Sequence, residues 1–340
     1  MEILDLIKDY DSLSIIGMNK NVGKTTTLNE ILNKSRGKYS LGLTSIGRDG
    51  EELDRVTATE KPRIYIEKNT IIATAKECLL NSDITKEILK TTNINTPMGE
   101  IVICRALSDG YVDLGGPSVN SYMADIKNEL LNLGCNLVIV DGALNRKTFA
   151  SPTITKATIL STGAALSRSM LNVVEETAHT VKLLSLPHET DKEVLRICEE
   201  ELKNVRVGVI YKDLSFKTLD VKTSLDAAKE IVSLLDENSV YVCIKGVFTE
   251  SLIEDIMKLT PMYKNVIFLC EDGTKLFISK ETLYKFTKQG GCIKVLKSIK
   301  VLCVTTNPKS PYGYEFDKVK FVKALKEKID IPVFDVVGGI

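Results

Sequence analysis

Short apolar runs alternate with segments of helical period along almost the whole chain. The apolar runs predict strands at 13–16, 40–45, 100–106, 136–140, 157–161, 205–211, 240–244, 266–269, 299–305 and 332–336. Apolar residues recurring at helical spacing predict helices at 24–33, 118–133, 167–184, 224–236, 250–259, 280–288 and 316–329. Strands alternating with helices form βαβ units, so the expected fold class is α/β with a mostly parallel sheet. The later strands are near-continuous apolar runs, as in strands covered by helices on both faces. A polar, Pro-bearing stretch, Ser185-Leu-Pro-His-Glu-Thr-Asp191, follows a long helical segment. It predicts a boundary between a first domain, 1–187, and a second α/β domain or lobe, 188–340. The same pattern also fits two lobes of one continuous sheet.

The opening residues do not read as a secretion signal, which needs a basic start and an uninterrupted apolar core. Ile3, Leu4, Ile7 and Tyr10 fall instead on one helical face. No apolar run reaches the roughly 18 residues of a membrane span. A cytoplasmic location with no membrane partner is therefore expected.

Composition changes this picture little. The 340 residues are 44% hydrophobic and 26% charged, enough for a sizeable core. Lys and Arg total 45 and Asp and Glu total 45. A net charge of zero argues against a broad electrostatic grip on nucleic acid. The eight cysteines show no C-x-x-C spacing, and most sit inside apolar runs. They read as reduced, buried residues rather than a disulfide framework or a zinc site.

The most informative segment is Ser14-Ile-Ile-Gly17-Met-Asn-Lys20-Asn21-Val22-Gly23-Lys24-Thr25-Thr26-Thr27. It reads as a buried strand, a loop and the start of a helix. That is the context of a phosphate-cradling Walker A loop. Gly17 and Gly23 let the backbone turn, so that N–H groups along Lys20, Asn21, Val22 and Gly23 face phosphate oxygens. The helix dipole adds positive potential beneath them. Lys24 is expected to reach the β- and γ-phosphates of a nucleotide, Thr25 to ligate Mg²⁺ and Thr26 to contact the α-phosphate. An ordinary helix N-terminus is the plainer alternative.

The strict motif G-x-x-x-x-G-K-[ST] is not met, because Met18 stands at its first glycine position. Gly17 lies one residue earlier. That longer spacing resembles the loop of dethiobiotin synthetases and cobyric-acid-type amidoligases, of the signal-recognition/MinD/BioD class of P-loop NTPases. The second lysine of that class would fall on Asn19, with Lys20 adjacent as a substitute.

A second Mg²⁺ ligand is expected at Asp141, where Asn136-Leu-Val-Ile-Val-Asp141-Gly142 ends an apolar run. A turn-forming Asp-Gly is the alternative there. Asp49, in Ile46-Gly-Arg48-Asp49-Gly50, is a candidate for Mg²⁺ or for the nucleophile, and Arg48 for a phosphate; a surface turn fits equally. The Gly-rich stretch Asp109–Asn120 is either a loop that closes over substrate or switches with nucleotide state, or a long connection, and Ser118 is the expected cap of the next helix. Ser161-Thr-Gly-Ala-Ala-Leu-Ser167-Arg168 ends another strand and could approach the site. Asn307 ends a late strand and could read an adenine edge only if its segment is not a separate domain. Glu175 and His179 share a helical face but do not make a metal site.

The segments Ser14–Asn29, Leu43–Glu51 and Val140–Ala143 together resemble the small ATPase-like subunit of lysine 5,6-aminomutase reactivases. That resemblance implies ATP-driven exchange of damaged cofactor on a cobalamin-dependent lysine or ornithine aminomutase. It also implies a MutS-like ATPase subunit as partner. A homodimer is a further expected assembly. An ATP-dependent carboligase or amidoligase of the dethiobiotin type is the alternative. The expected catalytic residues are Lys24, Asp49 and Asp141.

Overall fold

The structure is a computed structural model, and it describes residues 2–47, 63–142, 154–219, 221, 224 and 227–336. The chain begins with α1 (Ile3–Ile7), β1 (Ser12–Gly17), α2 (Lys24–Lys34) and β2 (Leu41–Ser45). Then come β3 (Ile64–Ile66), β4 (Ile71–Ala75), α3 (Lys76–Leu80), β5 (Lys86–Thr96), β6 (Gly99–Ala106) and β7 (Gly110–Val112). Next are α4 (Asn120–Asn132), β8 (Leu137–Asp141), β9 (Ala157–Gly163) and α5 (Met170–Leu184). A second series follows: α6 (Lys192–Glu201), β10 (Val207–Tyr211), β11 (Phe216–Leu219), α7 (Ala228–Leu234), β12 (Ser239–Ile244) and β13 (Phe248–Thr249). It continues with α8 (Glu250–Leu259), β14 (Ile267–Cys270), β15 (Leu276–Phe277), α9 (Lys280–Lys288) and β16 (Cys292–Val295). The chain closes with β17 (Val301–Asn307), α10 (Lys318–Lys326) and β18 (Val333–Asp335).

These elements form two compact units, residues 1–181 with 300–340, and residues 182–299. The first holds a nine-stranded sheet in the order β18-β17-β9-β1-β8-β2-β4-β6-β5. All strands from β18 to β4 are parallel, and β6 runs against both of its neighbours. This is a mixed α/β unit with a large, mostly parallel sheet. Alternate residues of the central strands bury on opposite faces. Leu13 and Ile15 of β1 and Ile139 of β8 join Leu28, Ile31 and Leu32 of α2 in one core, with Ile3, Leu4 and Ile7 of α1. On the other face Val138 packs with Ile126 and Leu130 of α4 and with Ala73, Ile101 and Ile103.

The second unit is a five-stranded sheet, β11-β10-β12-β14-β16. Strands β12, β14 and β16 are parallel, while β10 runs antiparallel to β11 and β12. Phe248, Phe268 and Phe286 lie in its core. Three of its helices carry side-chain caps, α6 by Asp191, α8 by Thr249 and α9 by Ser279, each accepting from a backbone N–H of the first turn.

Two expectations need correction. The second domain does not run from 188 to 340, because β17 and β18 return to the first sheet. All of β17 except Asn307 is buried, and its apolar run needs neighbours on both edges. It finds them in β9 and β18. Ser118 does not cap α4 either: the capping position is Val119, which makes no side-chain bond. Residues 113–117 are instead pinned to the carboxyl ends of β2 and β4. Thr74 Oγ1 donates to Asp113 O (3.1 Å) and accepts from Gly115 N (2.9 Å). Ala75 N donates to Gly115 O (2.7 Å) and Gly47 N to Gly116 O (3.2 Å). That part of the Gly-rich stretch is a fixed connection. No helix among the described residues is long and apolar enough to cross a membrane.

Phe321 of α10 is fully buried, edge-on to Phe316. Phe321→Ala should therefore destabilise the first unit by about 3–5 kcal/mol. Amide hydrogen exchange should speed up in β1 and β9 while β12 and β14 are unaffected. Exchange that speeds up only beyond residue 300 would separate that segment from the first unit.

Candidate functional site

Strand β1 lies inside the large sheet, fourth from the β18 edge, where the chain's direction of travel reverses. From β1 the chain crosses through α2 toward β2, on the β8 side, whereas β9 lies on the opposite side, next to β17. In open parallel sheets, ligands sit outside the carboxyl ends of strands at such a switch point. Residues 18–23 form the loop at that position, between β1 and α2.

The loop is built by backbone geometry. Asn21 has φ +55° and Gly23 φ +93°. Asn tolerates the left-handed region, and glycine enters it without a Cβ penalty. Gly23 is also the residue that caps α2, and no side chain caps this helix. Thr27 N makes the first intrahelical bond, to Gly23 O (2.8 Å). The N–H groups of Lys24, Thr25 and Thr26 precede it, and they sit where the helix dipole is positive. The side chain of Lys24 folds back across the loop, and its Nζ donates to Asn19 O (2.9 Å). A Cβ on Gly17 would lie 2.7 Å from that Nζ and 2.8 Å from Lys24 Cδ. Glycine at 17 is what lets the ammonium lie there. Lys20 N donates to Asn19 Oδ1 (2.7 Å), and Val22 is buried beneath the loop.

Two neighbouring strands form the floor. Met18 N donates to Ser161 O (2.9 Å), which ties the start of the loop to β9. Three buried hydroxyls meet under the first turn of α2. Thr27 Oγ1 lies 2.9 Å from Thr305 Oγ1, Thr305 Oγ1 2.9 Å from Ser161 Oγ, and Thr27 Oγ1 3.3 Å from Ser161 Oγ. Asn307, at the end of β17, donates from Nδ2 to Asn21 O (3.1 Å). Beside it, Ala164 N donates to Asn307 O (2.9 Å) and Tyr314 Oη to Ala164 O (2.7 Å). The guanidinium of Arg168 sits 5.6 Å from the Tyr314 ring centre.

Asp141 ends β8, the strand beside β1. It stands level with Ile15 of β1 and Ser45 of β2 and is 6% exposed. Ile46 N donates to Asp141 O (3.0 Å) and Gly142 N to Ile15 O (2.8 Å), so the carboxyl ends of β1, β2 and β8 are laced together. The expected set Gly17, Lys20, Asn21, Val22, Gly23, Lys24, Thr25 and Thr26 is thus one loop and helix start, with Asp141 one strand away. Arg48 and Asp49 lie outside the described residues. Asn307, whose role depended on its segment joining the first domain, does reach the loop. Ser161, which opens the segment 161–168 expected near the site, lies against the loop through Met18 N, whereas the hydroxyls of Thr27 and Thr305 carry no motif of their own. Their signal in the sequence is faint: hydroxyl residues next to apolar ones.

Among the described residues no cluster of three or more His, Cys, Asp or Glu side chains is arranged to hold a metal. Seven of the eight cysteines are buried and Cys292 is partly exposed. Burial pushes the thiols of Cys104 and Cys135 up to about 11, and that of Cys303 up to about 12. No protein-family model matches the chain, and no curated protein matches it.

The native protein should accordingly react with an aromatic disulfide reagent at pH 8 through Cys292 alone, the other seven thiols appearing only in denaturant. Rapid reaction of two or more thiols in the folded state would contradict the burial described.

Proposed function

We propose that the chain is a P-loop nucleotide-binding protein of the signal-recognition/MinD/BioD class that binds ATP with Mg²⁺. The observation that carries this reading is the left-handed turn at Gly23, which joins a central parallel strand to a helix at the sheet's switch point while Lys24 lies across Gly17. A loop of this shape presents successive N–H groups to an anion. On this reading the Lys24 ammonium leaves Asn19 O for the terminal phosphates. Thr25 and Asp141 are oxygen donors of the kind Mg²⁺ takes, and they would hold it. When bound, the ion supplies neutralisation of charge on the phosphates. Asp49 remains a candidate for Mg²⁺ or for orienting the nucleophile.

What the nucleotide drives rests on the resemblance of residues 14–29, 43–51 and 140–143 to the small subunit of aminomutase reactivases. We propose ATP-driven release of damaged cofactor from a cobalamin-dependent lysine or ornithine aminomutase, together with a MutS-like ATPase subunit. The unit of residues 182–299 favours a partner-directed role: it has its own sheet and core, and it interrupts the chain between the two strands that floor the loop. The carboligase or amidoligase reading uses the same loop to pass a phosphoryl group to a carboxylate.

Lys24→Ala should weaken ATP binding about 10- to 100-fold, the worth of one charge-assisted hydrogen bond. Calorimetric titration checks this, and equal affinity would remove the nucleotide reading. ATP hydrolysis should rise on addition of a cobalamin-dependent lysine aminomutase stalled with inactive cobalamin, and mutase activity should return with it. If the two are independent, the reactivase reading fails while nucleotide binding stands. Phosphoryl transfer to an added carboxylate would favour the ligase.

A further inference from the structure

The hydroxyls under α2 have a direction. Thr27 Oγ1 lies 3.0 Å from Gly23 O, and a carbonyl only accepts, so the single hydroxyl proton of Thr27 is committed there. Thr27 Oγ1 can then only accept, and Thr305 must donate to it across 2.9 Å. With the Thr305 proton spent, Ser161 must donate to Thr305, also across 2.9 Å. The remaining edge, Thr27 to Ser161, is the one the count of protons leaves without a hydrogen. It is also the longest, at 3.3 Å. Ser161, Thr305 and Thr27 thus form a one-way chain of donors ending on Gly23 O. All three side chains are buried, where aligned hydrogen bonds polarise one another.

Gly23 O accepts twice, from Thr27 N (2.8 Å) and from the hydroxyl chain. In a planar trans peptide the carbonyl and the following N–H point opposite ways. Holding Gly23 O down toward the sheet turns the N–H of Lys24 up toward the concave side of the loop. The peptide two residues earlier is held in a like manner. Asn307 Nδ2 holds Asn21 O from β17 (3.1 Å), which turns the N–H of Val22 away from that strand. Thr305 and Asn307 are two apart on β17 and so face the same side of the sheet. Gly23 has no Cβ to restrain its φ and Asn21 sits in the left-handed region, so the bonds from β17 add to the helix bond from Thr27 N in fixing these peptides.

We infer that β17 is a two-point clamp on the phosphate loop, in which Thr305, acting with Ser161 and Thr27, and Asn307 are positioning residues that aim the N–H groups of Lys24 and Val22 at the terminal phosphates of a nucleotide. The inference rests on the nucleotide reading above and adds to it the source of the loop's preorganisation.

The test uses the full chain, with ATP and inorganic tripolyphosphate as separate probes in calorimetric titration. Thr305→Val keeps the shape and removes both donor and acceptor. It should weaken binding of both probes about 5- to 10-fold, the worth of one neutral hydrogen bond. Thr305→Ser should restore binding to within about twofold, a rescue that simple loss of packing would not give. Ser161→Ala combined with Thr305→Val should weaken binding no further than Thr305→Val alone, because both residues serve one carbonyl. Asn307→Ala should lower affinity for tripolyphosphate as well as for ATP. A loss confined to ATP would make Asn307 a base contact and overturn its place in the clamp. Folded Thr305→Val that binds both probes as the parent does, or Thr305→Ser as weak as Thr305→Val, would overturn the hydroxyl chain. Should Thr305→Val not fold, Ser161→Ala and Asn307→Ala carry the test. A parent protein that binds neither probe defeats the nucleotide reading itself, whereas the clamp alone falls if Lys24→Ala loses affinity and these variants do not.

Discussion

The structure depends on the parallel pairing of β9 with β17. Residues 158–163 of one strand lie alongside 301–307 of the other. Without that pairing the large sheet would end at β9, one strand from β1, with a row of unsatisfied backbone groups beside the loop. Strand β18 would have no partner, because it pairs with β17. The floor beneath the loop would lose Thr305 and the rim would lose Asn307. The inserted unit, residues 182–299, can be read as the connection that this pairing has to close.

The loop itself is made almost wholly from neutral groups. Backbone amides, three hydroxyls and the carboxamides of Asn19 and Asn307 shape it, and its positive charge comes from a helix start and the side chains of Lys20 and Lys24. The Lys24 ammonium has a carbonyl partner at Asn19 O, so the loop keeps its form with that cation already solvated by the protein. This fits a chain whose acids and bases balance.

Much of this was legible in the sequence, for identifiable reasons. Strands β1, β2, β8, β9, β12, β14 and β17 are buried apolar runs, and such runs announce themselves. Strand β5, Lys-Glu-Ile-Leu-Lys-Thr-Thr-Asn-Ile-Asn-Thr, went unseen because it is a half-solvated edge with two irregularities in its pairing. Helix α6 was passed over although Asp191 caps it and Val194, Ile197 and Cys198 mark its buried face. The inserted unit opens at residue 182, inside the last turn of α5, so Pro187 and its polar neighbours lie just within it. Its end was missed, because β17 resembles every other apolar run and nothing local says which sheet it joins. The same distinction governs the site. Gly17 to Thr26 are contiguous, and Asp141 ends a recognisable strand. Ser161 and Thr305 matter only through distances between residues 144 positions apart, which no spacing rule reports.

The bond from Asn307 to Asn21 spans 286 positions. On a ribosome adding roughly 5–20 residues per second, about 15–60 s separate the synthesis of its two ends. During that interval the nascent chain holds β1 and α2 but not the strand that clamps the loop between them. The inserted unit, by contrast, is synthesised without interruption and can complete its own sheet first. Vectorial synthesis therefore lets the inserted unit finish before the sheet that flanks it on both sides in sequence.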